Sequence, residues 1–401
     1  MTRFPSVQLR RVLRVVNGGT PSSDSENWDG DVPWATPVDL APINGGVLTE
    51  TVRTITGAGL RAGSSAVRDG SLIVSTRAPI GYVAQVERPT AFNQGCRGLV
   101  PLQPVDIRYF RYQFVAAGPT MQSRGQGSTF IELSTEALAS LPVHVPPFGI
   151  QSAIADYLDR ETARINALIA ARQKMVALLE ERWQAVVDRV IWEDVWAVAP
   201  LKHLVDPWRP VMYGIVLPGP DVGNGGVAIV KGGDVAPGRL AWEALCKTTR
   251  EIEAPFARAR LRADDLVIAI RGGIGDVEIV PEAASGANIT QDVARIAPRV
   301  GVDPAWLRLA LRSSRVRADI AQRVTGATVR GLNIWELDRL SVPVATAATQ
   351  AEQMSKLLPE RRRISDMSDR LARQVDLLRE GRQSLIAAAV TGEVGVPEMT
   401  A

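Results

Sequence analysis

The chain is written twice. Gly127-Ser128-Thr129 and the run Leu133 to Val145 fall on Gly326-Ala327-Thr328 and Leu332 to Val344, 199 positions later. Leu133, Leu138, Leu141, Val143 and Val145 meet Leu332, Leu337, Leu340, Val342 and Val344. The register continues without a gap through Gln151 and Gln350, Leu158 and Leu357, Arg164-Ile165 and Arg363-Ile364, to Gln184 and Gln383. Upstream, Leu72-Ile73-Val74-Ser75-Thr76-Arg77 resembles Leu266-Val267-Ile268-Ala269-Ile270-Arg271 at an offset of 194, and Ile80-Gly81 then falls on Ile274-Gly275. About five residues are therefore inserted between the two blocks of the second copy, as surface loops allow. A period this long excludes a solenoid, whose repeats run about 20–50 residues. Gene duplication without a two-site function stays open at this point.

Each copy has one layout. A globular part comes first, rich in Gly and Pro, with short β-branched runs at Ser71–Thr76 and Leu266–Ile270 that read as strands. In the second copy a helix is predicted from Pro304 to Ile320. Trp306, Leu309, Ala310, Val316 and Ile320 can face a core, while Arg308, Arg312 and Arg315 form a stripe on the other side. Those arginines can hold phosphates or simply keep the helix soluble. Asn333 with Glu336 three residues on signals a short capped helix.

A long helix follows in each copy. Over Gln151–Trp192, apolar residues recur at Ile154, Leu158, Ile165, Leu168, Met175, Leu179, Val186 and Val190, a heptad-like pattern. From about Gln350 to Thr391 the series is Leu357, Ile364, Met367, Leu371, Leu378 and Leu385. Arg172 and Gln374 are polar interruptions of the kind that fix register. Pro359 departs from the pattern and reads either as a kink or as the helix's N-terminal turn. About 40 residues extend about 60 Å, enough to hold two globular parts more than one turn of DNA apart, about 34–36 Å. Periodicity alone does not separate such a spacer from a dimerisation stalk. The expected organisation is a globular domain over 1–148, a helix over 149–193, a second globular domain over 199–346, a second helix over 348–391 and a tail over 392–401.

Composition excludes several classes. No window holds the roughly 18 consecutive apolar residues of a membrane span. The N-terminus carries Arg10, Arg11 and Arg14 instead of a secretory h-region, so a cytoplasmic location is expected. With Cys96 and Cys246 the only cysteines and His144 and His203 the only histidines, a disulfide framework, a structural zinc site or a nucleophilic dyad has little material. There is no G-x-x-x-x-G-K-[ST], no methyltransferase-type Gly motif and no Asn/Asp-Pro-Pro-aromatic loop. Gly272-Gly273-Ile274-Gly275-Asp276 lacks dinucleotide spacing and reads as a turn. Asp264-Asp265, set against Asp69-Gly70, reads as a turn rather than a metal site. A sequence pI of about 9.0 with a net charge of +3 is a weak sign of an anionic partner.

Pro142-Val143-His144-Val145-Pro146-Pro147 followed by Gln151-Ser152-Ala153-Ile154-Ala155-Asp156-Tyr157-Leu158 resembles the signature of Type I restriction-modification specificity (S) subunits. Gly149-Ile150 stands where an acidic residue is common. The ending Leu377-Leu378-Arg379-Glu380-Gly381-Arg382-Gln383-Ser384-Leu385-Ile386, closed by Val390-Thr391-Gly392-Glu393-Val394, is similar to that family's helix ending. Arg77-Ala78-Pro79-Ile80-Gly81 and Asn93-Gln94-Gly95 resemble its recognition-domain consensus. In the second copy Arg271-Gly272-Gly273-Ile274-Gly275 and Asn288-Ile289 take that part, without the Gln.

The resemblance covers nearly the whole chain. It implies an α+β fold: two pseudo-symmetric α/β target-recognition domains separated by two long helices packed as an antiparallel coiled coil. It implies that each domain reads one half of an asymmetric bipartite site in double-stranded DNA, and that the helices set the spacing and dock two methyltransferase (M) subunits. A restriction (R) subunit joins for cleavage. The chain itself would be non-catalytic and hold no cofactor. S-adenosylmethionine belongs to the M partner, and ATP and Mg to an R partner; the assembled complex is a DNA adenine methyltransferase, with endonuclease activity when R joins. The competing reading is a coiled-coil adaptor carrying two protein-binding modules.

Phosphate contacts from Lys/Arg supply affinity, and side chains at base edges supply specificity. The candidates are Arg77, Asn93, Gln94, Arg97, Arg124, Gln126, Ser128 and Thr129 in the first domain. In the second they are Lys231, Arg271, Asn288, Arg323, Thr325, Thr328 and Arg330. Arg suits guanine, and Asn or Gln suits adenine. Each also has a plainer reading, since loop Asn caps turns and surface Arg is solvated.

Overall fold

A computed structural model describes residues 4–77, 79–127, 131–193, 195, 197–236, 239–325 and 330–396. It divides into two compact units, Met1–Gln173 with Ala372–Ala401, and Lys174–Leu371. Two helices, Phe148–Trp192 and Ala347–Thr391, each contribute one part to one unit and the rest to the other. Among the described residues no helix is long and apolar enough to cross a membrane.

In the first unit a five-stranded sheet runs Leu13–Asn17, Cys96–Pro101, Ser71–Ser75, Val83–Val86, Gly46–Leu48. Neighbours are antiparallel except the last pair. Ser71–Ser75 is buried along its whole length. Strand alternation sends Leu72 and Val74 to a core with Tyr109, Phe110 and Leu138. It sends Ile73 to a core on the other face with Leu40 and Phe92.

The second unit repeats this with Met212–Tyr213, Val293–Ile296, Leu266–Ala269 and Val277–Ile279, all antiparallel. Leu266 and Ile268 join Trp306 and Leu337. Val267 and Ala269 join Val230 and Ile289. Each such aliphatic burial stabilises by about 1.5–3 kcal/mol, so a central strand that is apolar on both faces anchors each unit. A smaller sheet flanks each main one, and both contain a parallel pair: Trp28–Ala35 with Thr90–Phe92, and Val227–Val230 with Asn288–Ile289.

The repeat is also visible in polar detail. Gln151 is buried; its Oε1 accepts from the Asp106 N–H at 3.0 Å and its Nε2 donates to the Pro146 carbonyl at 2.8 Å. Gln350 accepts from the Asp303 N–H at 2.7 Å and donates to the Ala345 carbonyl at 2.9 Å. Asp106 and Asp303 are the N-caps of Ile107–Ala116 and Pro304–Arg312. One glutamine per copy thus ties the start of a long helix to the start of a domain helix.

The helix predicted over Pro304–Ile320 is two helices, Pro304–Arg312 and Ser314–Arg323. The break has a tertiary cause. Asp188 of the first long helix accepts from the Ser314 N–H at 2.7 Å and its hydroxyl at 2.5 Å, capping a new helix there. The arginine stripe is split accordingly. Arg308 and Arg312 pair with Glu278 at 2.7 and 3.4 Å, and Arg315 lies over the Trp192 ring at 4.8 Å.

The two polar interruptions of the long helices meet: Arg172 donates to Gln374 at 2.9 Å. Arg382 donates to Asn166 in the same unit, so one index falls as the other rises and the helices run antiparallel there. In the second unit Arg361 and Arg182 bond Glu180 and Glu360 with the same antiparallel order. The helix continues through Pro359, so that proline is not its N-terminal turn. Lacking an N–H, it leaves the Ser355 carbonyl without its helical donor. Leu168, Met175 and Met367, assigned to the seam by periodicity, are exposed, whereas Ile169 and Val375 are buried.

The turn before the central strand corrects the acid alignment by one residue. Gly70 (φ 69°) and Asp264 (φ 66°) hold the same left-handed position, and their N–H groups donate to Val86 and Val280, each at 3.0 Å. Asp265 is instead buried and accepts from Arg209 Nη1 and Nη2, each at 2.6 Å.

Candidate nucleic-acid interface

Three loops converge at one end of each main sheet, held by the same hydrogen bonds. In the first unit Arg77 and Gln126 both bridge to Glu132. The Leu133 N–H donates to Thr76 at 2.9 Å, and the Thr76 N–H donates to Gly95 at 2.8 Å. In the second, Arg271 and Thr325 both bridge to Gly331. The Leu332 N–H donates to Ile270, and the Ile270 N–H to Asp292, both at 2.9 Å.

This register overturns one sequence pairing. The Asn93 N–H donates to Ala35 at 2.9 Å and the Thr290 N–H donates to Val230 at 3.0 Å. Phe92 accepts from Gly19 at 3.0 Å and Ile289 accepts from Ile215 at 2.8 Å. Asn93-Gln94-Gly95 therefore corresponds to Thr290-Gln291-Asp292. The glutamine that appeared to be missing from the second copy is Gln291. Asn288 corresponds to Ala91 inside a strand. It is fully buried, its amide donates to Glu253 at 2.8 Å and Phe256 at 3.1 Å, and it cannot reach a base edge.

In the first unit Glu132 gathers two guanidinium groups, Arg77 at 2.8 Å and Arg97 at 3.3 Å. Arg97 is only 9% exposed. It also donates to the Thr135 hydroxyl at 3.0 Å and the Gln94 carbonyl at 2.8 Å, and Thr135 donates to Asn17 at 2.8 Å. Its guanidinium is spent on holding the loops together, which withdraws it from direct contact; Arg77, half-exposed, remains outward. Asn93 accepts from the Gly95 N–H at 3.0 Å, a turn-forming bond. Gln94 is exposed, with its Oε1 held by Thr20. Arg124 is half-buried and Gln126 exposed, and neither side chain has a partner among the described residues. Ser128 and Thr129 lie outside the described residues. Gly18 is required here for close approach: a Cβ would sit 1.9 Å from the Asn93 carbonyl oxygen.

In the second unit the corresponding place is open. A groove of about 620 Å³ is lined by Tyr213, Val216, Arg271, Gln291, Thr325 and Asn333, among others. Arg271 reaches Asp292 at 3.4 Å, and both remain substantially exposed. Arg330 lines a neighbouring cleft with Gly272, Arg317 and Ile320. Arg323 is held by Asp319 at 2.6 Å and Glu336 at 2.8 Å; these bonds raise its pKa further and fix it as a strut between the helices Ser314–Arg323 and Ile334–Leu337. Lys231 is half-buried, its backbone N–H held by Asp234 at 2.8 Å. Thr328 lies outside the described residues. Beneath the flanking sheet, the Arg260 guanidinium holds the buried Glu253 below the usual carboxylate range.

Sequence reasoning missed Gln291, Tyr213 and Glu132 here, and read Asn333 only as the helix cap that it is. Only Gln291 had a usable signal, the Gln of Asn93-Gln94, hidden because the loop offset is neither 194 nor 199. It also missed Arg53, whose guanidinium stacks 3.6 Å from the Trp28 ring.

Residues 3–177 match the family described as Type I restriction modification DNA specificity domain. The chain is 24% identical over 353 residues to the Type I restriction enzyme EcoBI specificity subunit of Escherichia coli, covering 80% of this chain and 73% of that protein. It is 32% identical over 178 residues to the Type I restriction enzyme MjaIX specificity subunit of Methanocaldococcus jannaschii, covering 43% and 40%. A solved structure from work on complex assembly and conformational transition of the type I R-M system shares the fold, with a TM-score of 0.69, 14% identity and 98% of both chains covered.

Proposed function

We propose that the chain is a Type I restriction-modification specificity subunit, like the proteins it resembles, and that its two recognition units each read one half of an asymmetric bipartite target in duplex DNA. The observation that carries this reading is a loop frame built twice from the same hydrogen bonds, which keeps an Arg (Arg77, Arg271) and a Gln (Gln94, Gln291) in both copies but sets Gln126 and Glu132 of the first against Thr325 and Gly331 of the second. An asymmetric target needs two unlike readers on one chain. Arg77 and Arg271 sit at the same place in the frame and supply phosphate or guanine contacts.

The long helices serve as the spacer and as the dock for two M subunits. Exposed Leu168, Met175, Leu178, Leu358, Met367 and Leu377 along them suit protein contact better than water. The chain carries no chemistry of its own in this reading. Methyl transfer from S-adenosylmethionine belongs to M, and ATP- and Mg-dependent cleavage belongs to an R subunit.

The test is an exchange of residues 1–145 for the matching segment of another specificity subunit, followed by methylome sequencing. One half of the methylated motif changes and the other half stays. A motif that changed entirely, or not at all, would refute the two-reader reading. Salt-independent DNA binding by the purified complex with M, or none, would favour the adaptor instead.

A further inference from the structure

The groove of the second unit is the space that two side chains fill in the first. Strand register sets Arg97 opposite Val74 and Asn17, and sets Ala294 opposite Ile268 and Tyr213. Ala294 therefore stands where the first unit has Arg97. Gly331 stands where it has Glu132, by the shared bridges to Arg77 and Arg271. The ion pair that closes the first surface is replaced by a methyl group and a hydrogen. The lining mixes the apolar Val216, Ile270, Leu332 and Ile334 with polar groups that are unengaged. Among the described residues the Gln291 amide, the Tyr213 hydroxyl and the Asn333 Nδ2 have no partner, and Arg271 has only the 3.4 Å contact to Asp292. Asn333 Oδ1 is spent on the Glu336 N–H at 2.9 Å.

We propose that this groove is the base-reading subsite of the second recognition unit, with Gln291 as its specificity-determining residue, Tyr213 and Asn333 as accessory hydrogen-bonding groups and Arg271 at its rim on phosphate. The inference rests on the two-reader reading above and deepens it. The occupant is a base-pair edge of the second half-target. A primary amide offers one donor and one acceptor side by side, the pattern that adenine N7 and N6 complement in the major groove. The backbone N–H of Gln291 donates to Ile215 at 2.9 Å, which fixes the loop beneath the amide. The first unit reads differently: its Gln94 carbonyl and side chain are tied by Arg97 and Thr20, and its outward guanidinium is Arg77.

The experiment uses the full chain purified with its M subunit and duplexes carrying the target found by methylome sequencing, together with every single-pair variant of both halves. Gln291→Ala is expected to reduce discrimination at one position of the second half-target by roughly 10–100-fold, leaving the first half within twofold. Gln291→Glu is expected to move the preference at that position toward a base pair that presents the cytosine amino group, which a carboxylate accepts. Gly331→Glu rebuilds the carboxylate that the first unit tolerates. It is expected to pair with Arg271, fill the groove and weaken target binding by at least about tenfold with an unchanged melting temperature. The inference is overturned if both Gln291 variants keep every preference within twofold, or if the altered position falls in the first half-target. A wild-type complex without sequence-dependent binding would bring down the two-reader reading itself, and this subsite with it.

Discussion

Replacing Gln350 by leucine isolates the glutamine key. The side chain is 2% exposed and makes three hydrogen bonds: it accepts from the Asp303 N–H at 2.7 Å, and donates to Ala345 at 2.9 Å and Gly301 at 3.3 Å. Each contributes about 1 kcal/mol, and a buried group left without a partner costs about 1–3 kcal/mol. Leucine recovers part of this by burying apolar surface, so the net loss is about 2–4 kcal/mol. It falls on the second unit, because every partner lies there. Urea unfolding of the full chain measures the loss, and hydrogen exchange by mass spectrometry locates it. Pro304–Arg312 and the first turns of Ala347–Thr391 lose protection, while Ile107–Ala116 does not. The equivalent change at Gln151 reverses the pattern. A loss under about 1 kcal/mol, or equal deprotection of both units, would refute the view that one side chain locks helix to domain in each copy.

Other perturbations probe different links. Arg209→Met leaves Asp265 charged, buried and unpaired, and is expected to cost about 3–5 kcal/mol in urea unfolding. Gly214→Ala brings a Cβ to 1.9 Å from the Ile289 carbonyl oxygen; the backbone must shift, at about 1–3 kcal/mol, seen as a lowered melting temperature. Acid acts through Glu253, whose folded-state pKa is depressed by the Arg260 hydrogen bonds. Its contribution is complete above the unfolded value of about 4.3 and is lost as pH falls through the lower folded value. The urea midpoint of the second unit should therefore drop below about pH 4, and Glu253→Gln should flatten that drop.

The duplication, the two long helices, the central strands and the family resemblance were legible in the residues, because each is a pattern along the chain. Alternation marks a strand, period marks a helix, and a copied order marks a repeated unit. The groove proposed to read bases was not legible. Its register depends on a loop whose offset matches neither neighbouring block, so asparagine identity drew attention to the buried Asn288 and away from Gln291. The split after Arg312 was hidden as well, since its cap, Asp188, comes from another helix. Arg172 and Gln374 stood out as interruptions of their heptads, but only the antiparallel pairing brought them together. What the sequence determined by itself was local, or repeated at a fixed spacing. What the tertiary structure alone decided was which distant groups share a hydrogen bond, and whether a space is filled, as by Arg97 and Glu132, or left open, as at Gly331.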